Sequence, residues 1–362
     1  MNSMSKSRLS TSILALLIIS AVAAASLTGC ATIGFGSGKA PTKIAVLHTN
    51  DIHSNLFPWS LRTDSGELVE VGGLARIATI VEETRRGNCP VLLLNSGDSF
   101  YPNSLSKWHG SPEIGALNMT GYDCATLGNH EFDLGDDYLG QVLDIAKFPF
   151  VCANLEVEAS PPLAGKLVNY AIKNIGGCSV GIFGLITPDL DTIASPSDNI
   201  VIDRDLAGLT GALVAYLDPR TDLIFALTHI GLPMDIKLAE SVSGIDAIFG
   251  GHSHDAIHEA VEVTNPAGGR TLVLQSGCYG RYVGKLELTS ALDAIDSYEW
   301  TLLEVNSEIK ENEPVASYLN AFQEVREDPI GIIESELKIS GDAIRGQDST
   351  IGTLVCDAIA EE

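Results

Sequence analysis

Pro90-Val91-Leu92-Leu93-Leu94-Asn95-Ser96-Gly97-Asp98-Ser99 is the stretch on which the fold turns. Residues 91–94 are apolar without a polar gap, as expected of a strand covered on both faces. Gly97 then lets the backbone turn sharply, and a single carboxylate, Asp98, stands at the strand's exit. A strand of this kind belongs to a layered α/β domain, whose ligand chemistry gathers in the loops after strand C-termini.

Outward from this stretch, short apolar runs alternate with helix-period segments. Strands are predicted at 43–47, 123–127, 148–154, 179–185, 223–227 and 247–249. Helices are predicted at 73–86, 112–119, 136–146, 206–216 and 235–241. Residues 271–275 and 282–288 read as paired strands with no helix between them. The segment 293–329 is more polar, with an acidic cluster at 308–313 and a helical stretch at 314–325. No internal repeat is present.

The 362 residues are 45% hydrophobic and 19% charged, an ordinary α/β composition that excludes disorder and a disulfide scaffold. The formal net charge is −25, from 47 acidic and 22 basic residues. Such a surface repels nucleic acid polymers and anionic lipid. Small anionic substrates remain open to it where metal ions reverse the local field.

The N-terminus reads as an export signal. Lys6 and Arg8 precede an apolar run at 13–25, too short for a spanning helix. Leu27-Thr28-Gly29-Cys30 follows, the pattern at which bacterial lipoprotein signals are cleaved and lipidated. Residues 1–30 are therefore expected to be a lipoprotein signal peptide with Cys30 lipidated, and the lipid to be the only link to the membrane. Residues 31–42 form a flexible tether. The other cysteines, Cys89, Cys124, Cys152, Cys178, Cys278 and Cys356, show no CxxC spacing and are read as thiols rather than disulfides.

Five short blocks place Asp, Asn or His after an apolar run. They are His48-Thr49-Asn50-Asp51-Ile52-His53, Asn95-Ser96-Gly97-Asp98-Ser99, Gly128-Asn129-His130-Glu131-Phe132-Asp133, Thr228-His229 and Gly250-Gly251-His252-Ser253-His254. Each alone is weak, but of eight histidines six fall in these blocks, five of them (His53, His130, His229, His252, His254) beyond the apolar run. In an extended exit, residues two apart share a side, so Asp51 and His53 can grip one ion. Mixed imidazole and carboxylate donors suit Zn, Mn, Fe or Co better than Mg or Ca. Phosphoryl chemistry commonly uses two ions about 3.5–4 Å apart, bridged by a carboxylate. Asp98, alone in its block, fits the bridge. One ion would take Asp51, His53, Asp98 and His254, the other Asp98, Asn129, His229 and His252. His130, with Asp133 three residues on, would form an oriented pair that donates a hydrogen bond or proton in the transition state.

At these residues the chain resembles the 5′-nucleotidase branch of the calcineurin-like metallophosphoesterases. The resemblance covers about residues 43–288, and the HTND and GNHEFD forms point to that branch. It implies a four-layer α/β/β/α sandwich with a dimetal site at the sheet edges, and the same ligand roles and His130–Asp133 dyad. His254 stands where some members carry Gln or Asn, which bears on metal preference. The implied activity is release of phosphate from 5′-nucleotides, with UDP-sugars as a further substrate class, outside the cytoplasm. Relatives with similar motifs cleave 2′,3′-cyclic nucleotides or sulfur esters. A reading of another class is a metal-binding lipoprotein fragment without useful turnover. The expected organisation is a catalytic domain at 43–305, a connector at 306–340, and at 341–362 the start of a nucleotide-binding C-terminal domain. That domain's arginines and aromatics would choose the nucleotide, and truncation within it is expected. Oligomeric state is not legible.

Overall fold

The computed structural model describes residues 41–322, apart from 64 and 292, together with Thr353. The expected signal peptide, Cys30, most of the expected tether, Cys356 and nearly all of 323–362 lie outside the described residues.

The central strands are apolar along their whole length because both faces are covered. Successive side chains on a strand point to opposite faces. Accordingly Leu92 and Leu94 pack inward with Ile44 and Val46, while Leu93 and Leu47 pack outward against helices. Truncating Leu93, fully buried, to Ala would cost about 2–5 kcal/mol.

One sheet has seven strands in the order Ala294–Glu304, Tyr282–Ala291, Thr42–Thr49, Val91–Ser96, Cys124–Thr126, Phe150–Val151 and Leu167–Val168. Its strands from Thr42–Thr49 to Leu167–Val168 run parallel, and the other two are antiparallel. The second sheet has six, ordered Val261–Thr264, Arg270–Leu274, Ala247–Phe249, Leu223–His229, Cys178–Ile186 and Tyr170–Ile175. Its four central strands are parallel.

Between the sheets, Ile44, Val46, Leu92 and Leu94 meet Val180, Ile182, Phe225 and Leu227. Helices Leu74–Arg86, Ser111–Thr120 and Gly135–Ile145 cover the outer face of the first sheet. Helices Leu206–Leu217 and Leu232–Ser241 cover the second. This is the four-layer α/β/β/α sandwich.

Two sequence expectations change. The strands near 271–275 and 282–288 do not pair with each other. Arg270–Leu274 lies beside Ala247–Phe249 in one sheet, and Tyr282–Ala291 beside Thr42–Thr49 in the other. The connection between them crosses from sheet to sheet, a choice that local pattern does not encode. The predicted strand at 148–154 is also broken. Only Phe150–Val151 joins the main sheet, and Leu155–Glu156 turns away to pair with Val201–Ile202.

Helix Glu313–Asn320, within the segment read as a connector, buries Val315 and Leu319 in the first sheet's helical layer. Its Tyr318 hydroxyl donates to the Ser111 carbonyl at 2.6 Å. Cys124 and Cys152 are buried thiols, and Cys89 and Cys278 are half-buried ones. Among the described residues, no helix is long and apolar enough to cross a membrane.

Candidate metal centre

Parallel strands end at the same edge of their sheet, so their exit loops converge. The first sheet delivers Asp51, His53, Asp98, Asn129 and His130; the second delivers His229, His252 and His254. The two edges are stitched directly. His229 Nδ1 donates to the Ser96 carbonyl at 2.7 Å, and the Ser96 hydroxyl donates to the Phe249 carbonyl at 2.6 Å.

Among the described residues, three sets of donor atoms lie within 4.8 Å of one another: Asp51, His53 and His254; His53, Asp98 and His130; and Asp51, Asp98 and His229. Each carboxylate has its two oxygens divided between duties. Asp51 Oδ2 accepts from Asn50 Nδ2 at 2.7 Å and from the His252 backbone N–H at 3.0 Å. Asp51 Oδ1 has no hydrogen-bond partner. It lies 3.2 Å from His254 Nε2, 3.5 Å from His53 Nε2 and 3.8 Å from His229 Nε2. Asp98 Oδ1 accepts from the His130 N–H at 2.9 Å, whereas Oδ2 faces His229 Nε2 at 3.1 Å and His53 Nε2 at 3.7 Å. Asp98 thus stands between donors from both sheets.

These atoms demand a cation. Because Nδ1 of His229 gives its hydrogen to a carbonyl, Nε2 is the atom turned to the carboxylates, and it too is buried without a hydrogen-bond partner. Burial works against charge on His229, yet Asp98 and Asp51 outweigh it and raise its pKa to about 10. The Asp51 carboxylate 3.2 Å away is the main cause raising His254 to about 10. Burial penalises the charged form of Asp51, but His229 and the neighbouring His254 and His53 hold its carboxyl well below the usual range. Unsatisfied buried atoms of opposite demand are the expected signature of an ion site. The donor set therefore fits divalent metal.

His252 and Asn129 adjoin this cluster without joining those three sets. His252 Nδ1 lies 2.9 Å from Asn129 Oδ1, and its ring centroid is 5.2 Å from that of His229. His130 Nδ1 meets Asp133 Oδ2 at 2.5 Å, so the ring donates to the carboxylate through Nδ1. The structure thus brings His130 and Asp133 together, and His130 also comes within reach of His53 and Asp98.

The approach of Asp51 to His53 differs from the extended exit expected. Asp51, His53, Asp98, His252 and His254 all have positive φ, between 49° and 77°. Left-handed backbone costs a non-glycine residue free energy, and it persists where surrounding bonds impose it. Here a tight turn, not a pleat, brings the donors together. Gly128 has the opposite duty: a Cβ there would lie 2.1 Å from Asp98 Oδ1.

Several supporting residues had no role in the sequence reading. Glu131, fully buried, accepts from the backbone N–H groups of Asp98 at 3.0 Å, Ser99 at 2.7 Å and Gly128 at 2.6 Å, locking two exit loops together. Burial chiefly, with Asp98 adding to it, pushes its pKa up to about 8. His48, also buried, bridges Ser96 Oγ and Ser276 Oγ at 2.9 and 2.8 Å. Glu131 sits inside a quoted block, and an acid between His130 and the apolar Phe132 was the available signal. For Tyr101 and Tyr279, whose rings lie against the site histidines, the sequence held no signal.

Two facing sheets with clustered imidazole and carboxylate donors at their shared edge make up a metallophosphoesterase fold with a candidate metal centre. The calcineurin-like phosphoesterase family model matches residues 44–256, and the chain belongs to that family. A 5′-nucleotidase of Bos taurus is 30% identical over 349 residues, spanning 88% of this chain and 60% of that protein. The crystal structure of a 5′-nucleotidase precursor from Thermus thermophilus matches with a TM-score of 0.73 and 31% identity, over 77% of this chain and 58% of that one. The NAD nucleotidase of Haemophilus influenzae matches with a TM-score of 0.69 and 25% identity, over 78% and 56%. The chain spans about 60% of the length of the curated 5′-nucleotidases of Rattus norvegicus and Bos taurus.

Proposed function

We propose that this chain carries the catalytic centre of an exported 5′-nucleotide phosphohydrolase that holds two divalent ions. The carrying observation is the pair of orphaned buried atoms, Asp51 Oδ1 and His229 Nε2, 3.8 Å apart among the other donors. Asp51, His53, Asp98 and His254 would hold one ion. Asp98, Asn129, His229 and His252 would hold the other, with Zn, Mn or Co the metals that suit the set. When bound, such ions supply hydroxide from water at neutral pH and neutralise charge on phosphoryl oxygens.

The chain's own residues do the rest. Asn129 is neutral, which leaves the loaded site cationic and receptive to a phosphate dianion. Asp133 fixes the His130 ring so that Nε2 can give a hydrogen bond or proton to the ester oxygen as the leaving group departs. The 5′-nucleotidase names of the relatives support a nucleotide substrate, and the likeness to an NAD nucleotidase favours a dinucleotide as the second reading. Cys30, after the basic and apolar N-terminal run, supports export and a lipid anchor.

The test is phosphate release from AMP by protein lacking residues 1–30, with Mn, Co or Zn supplied. Release that disappears in Asp98→Ala supports the proposal. Metal-loaded protein that releases phosphate from no nucleotide overturns it. A panel adding NAD, UDP-sugars, 2′,3′-cyclic nucleotides and sulfur esters selects the substrate. For the anchor, Cys30→Ala should move the full chain from the membrane fraction to the soluble fraction.

A further inference from the structure

We propose that Tyr101 and Tyr279 form an aromatic contact for the nucleoside leaving group at the mouth of the metal centre, an inference that rests on the phosphohydrolase reading above. Both rings lie against the site's imidazoles. Tyr101 has its ring centroid 4.8 Å from His130 and 5.8 Å from His53. Tyr279 lies 5.6 Å from His53 and 5.5 Å from His254. His53 is therefore flanked by tyrosine on its His130 side and on its His254 side. Yet Tyr101 is 45% exposed and Tyr279 38% exposed. Two large rings are held partly in water directly beside the reacting centre.

Neither ring is there by slack in the chain. The Tyr101 N–H donates to Ser54 Oγ at 2.9 Å, and that hydroxyl donates to the buried carboxylate of Glu113 at 2.7 Å. The Tyr279 N–H donates to the Asp51 carbonyl at 2.7 Å, and its own carbonyl accepts from Trp59 Nε1 at 3.1 Å. Tyr279 has φ 58°, between Gly277 at 73° and Gly280 at 65°. Glycine suits that left-handed backbone better than any bulky residue. An aromatic ring placed there at a conformational cost, and left exposed, points to a use for its surface.

The chemistry narrows the use. The ions and His130 would engage the phosphoryl group and the ester oxygen, so the organic part of the substrate emerges where these rings stand. A tyrosine ring offers a flat apolar face that stacks on a nucleobase, and stacking tolerates any base because every base has a π-face. Tyr101, packed on His130, is next to the group that serves the leaving oxygen. The pair thus supplies leaving-group recognition inside this domain.

The competing role is structural: the rings only prop His53 and His130. The two roles separate in steady-state kinetics of Tyr101→Ala, Tyr279→Ala and the matching Phe variants, with AMP and glycerol 3-phosphate as substrates. Leaving-group contact predicts that KM for AMP rises roughly ten-fold in the Ala variants. KM for glycerol 3-phosphate, kcat and metal content stay as in wild type, and the Phe variants behave like wild type. Equal losses on both esters, or an unchanged KM for AMP, overturn the inference while leaving the phosphohydrolase reading intact. Wild-type protein that hydrolyses neither ester overturns that reading and the inference with it.

Discussion

His229 Nδ1 donates to the main-chain oxygen of Ser96 at 2.7 Å, a bond that runs from the last residue of one sheet's strand to the last residue of the other's. It fixes which ring nitrogen is left for metal, and it couples the metal centre to the packing of the two sheets.

Removing that ring should therefore empty half of the site. His229→Ala is expected to lower bound metal from two ions to one per chain, measured by elemental analysis after gel filtration. Retention of two ions would remove His229 from the ligand set. Chelation of wild type should lower the melting temperature, because ions bound only by the native state stabilise it by about 2.7 kcal/mol at a hundred times Kd. An unchanged melt with EDTA would mean that the centre does not hold metal.

Glu131 touches no proposed ion ligand atom, yet it positions one ligand-bearing loop against another through three backbone N–H groups. Glu131→Gln turns an amide N–H₂ toward at least one of those donors. The expected cost is about 1–3 kcal/mol of stability, with metal affinity reduced about 10–100-fold as for other residues that orient ligands. Denaturant melts and metal titration check it, and wild-type values in both would show that the three bonds are dispensable.

The His130–Asp133 pair should behave as a proton or hydrogen-bond donor rather than as a metal holder. His130→Asn is expected to reduce kcat by about 10²–10⁴-fold with two ions retained, and Asp133→Asn to act in the same direction by disorienting the ring. Loss of an ion in His130→Asn would place His130 among the ligands, a role its proximity to His53 and Asp98 makes geometrically open.

Asp246 gives a pH prediction away from the centre. Burial pushes its carboxyl up to about 7, against the hydrogen bond accepted from the Ile224 N–H, with Asp218 and Asp293 adding to the rise. Its folded pKa exceeds the ordinary value of 3.8, so the native state holds a proton that the unfolded chain has released. Wild-type stability then falls as pH rises through the window from about 4 to about 7. Asp246→Asn lacks that proton, so its melting temperature relative to wild type should climb between pH 5 and pH 8. A difference that is flat across this range would contradict the assignment.

The chemistry was legible in the sequence because each donor lies a few residues beyond an apolar run, and apolar runs of that length become strands whatever follows. Val91 to Leu94 announced a strand with two covered faces, and Asp98 followed at its exit. The sequence alone also supplied the donor types. Tertiary structure decided what local pattern cannot carry. Which sheet Arg270–Leu274 and Tyr282–Ala291 joined depended on long-range pairing partners. That Asp51 and His53 converge through left-handed turns, not a pleat, depended on bonds from distant loops such as His252 N–H to Asp51. The duties of Glu131, Tyr101 and Tyr279 arose only when two sheet edges met, because burial and facing partners are properties of the packed chain.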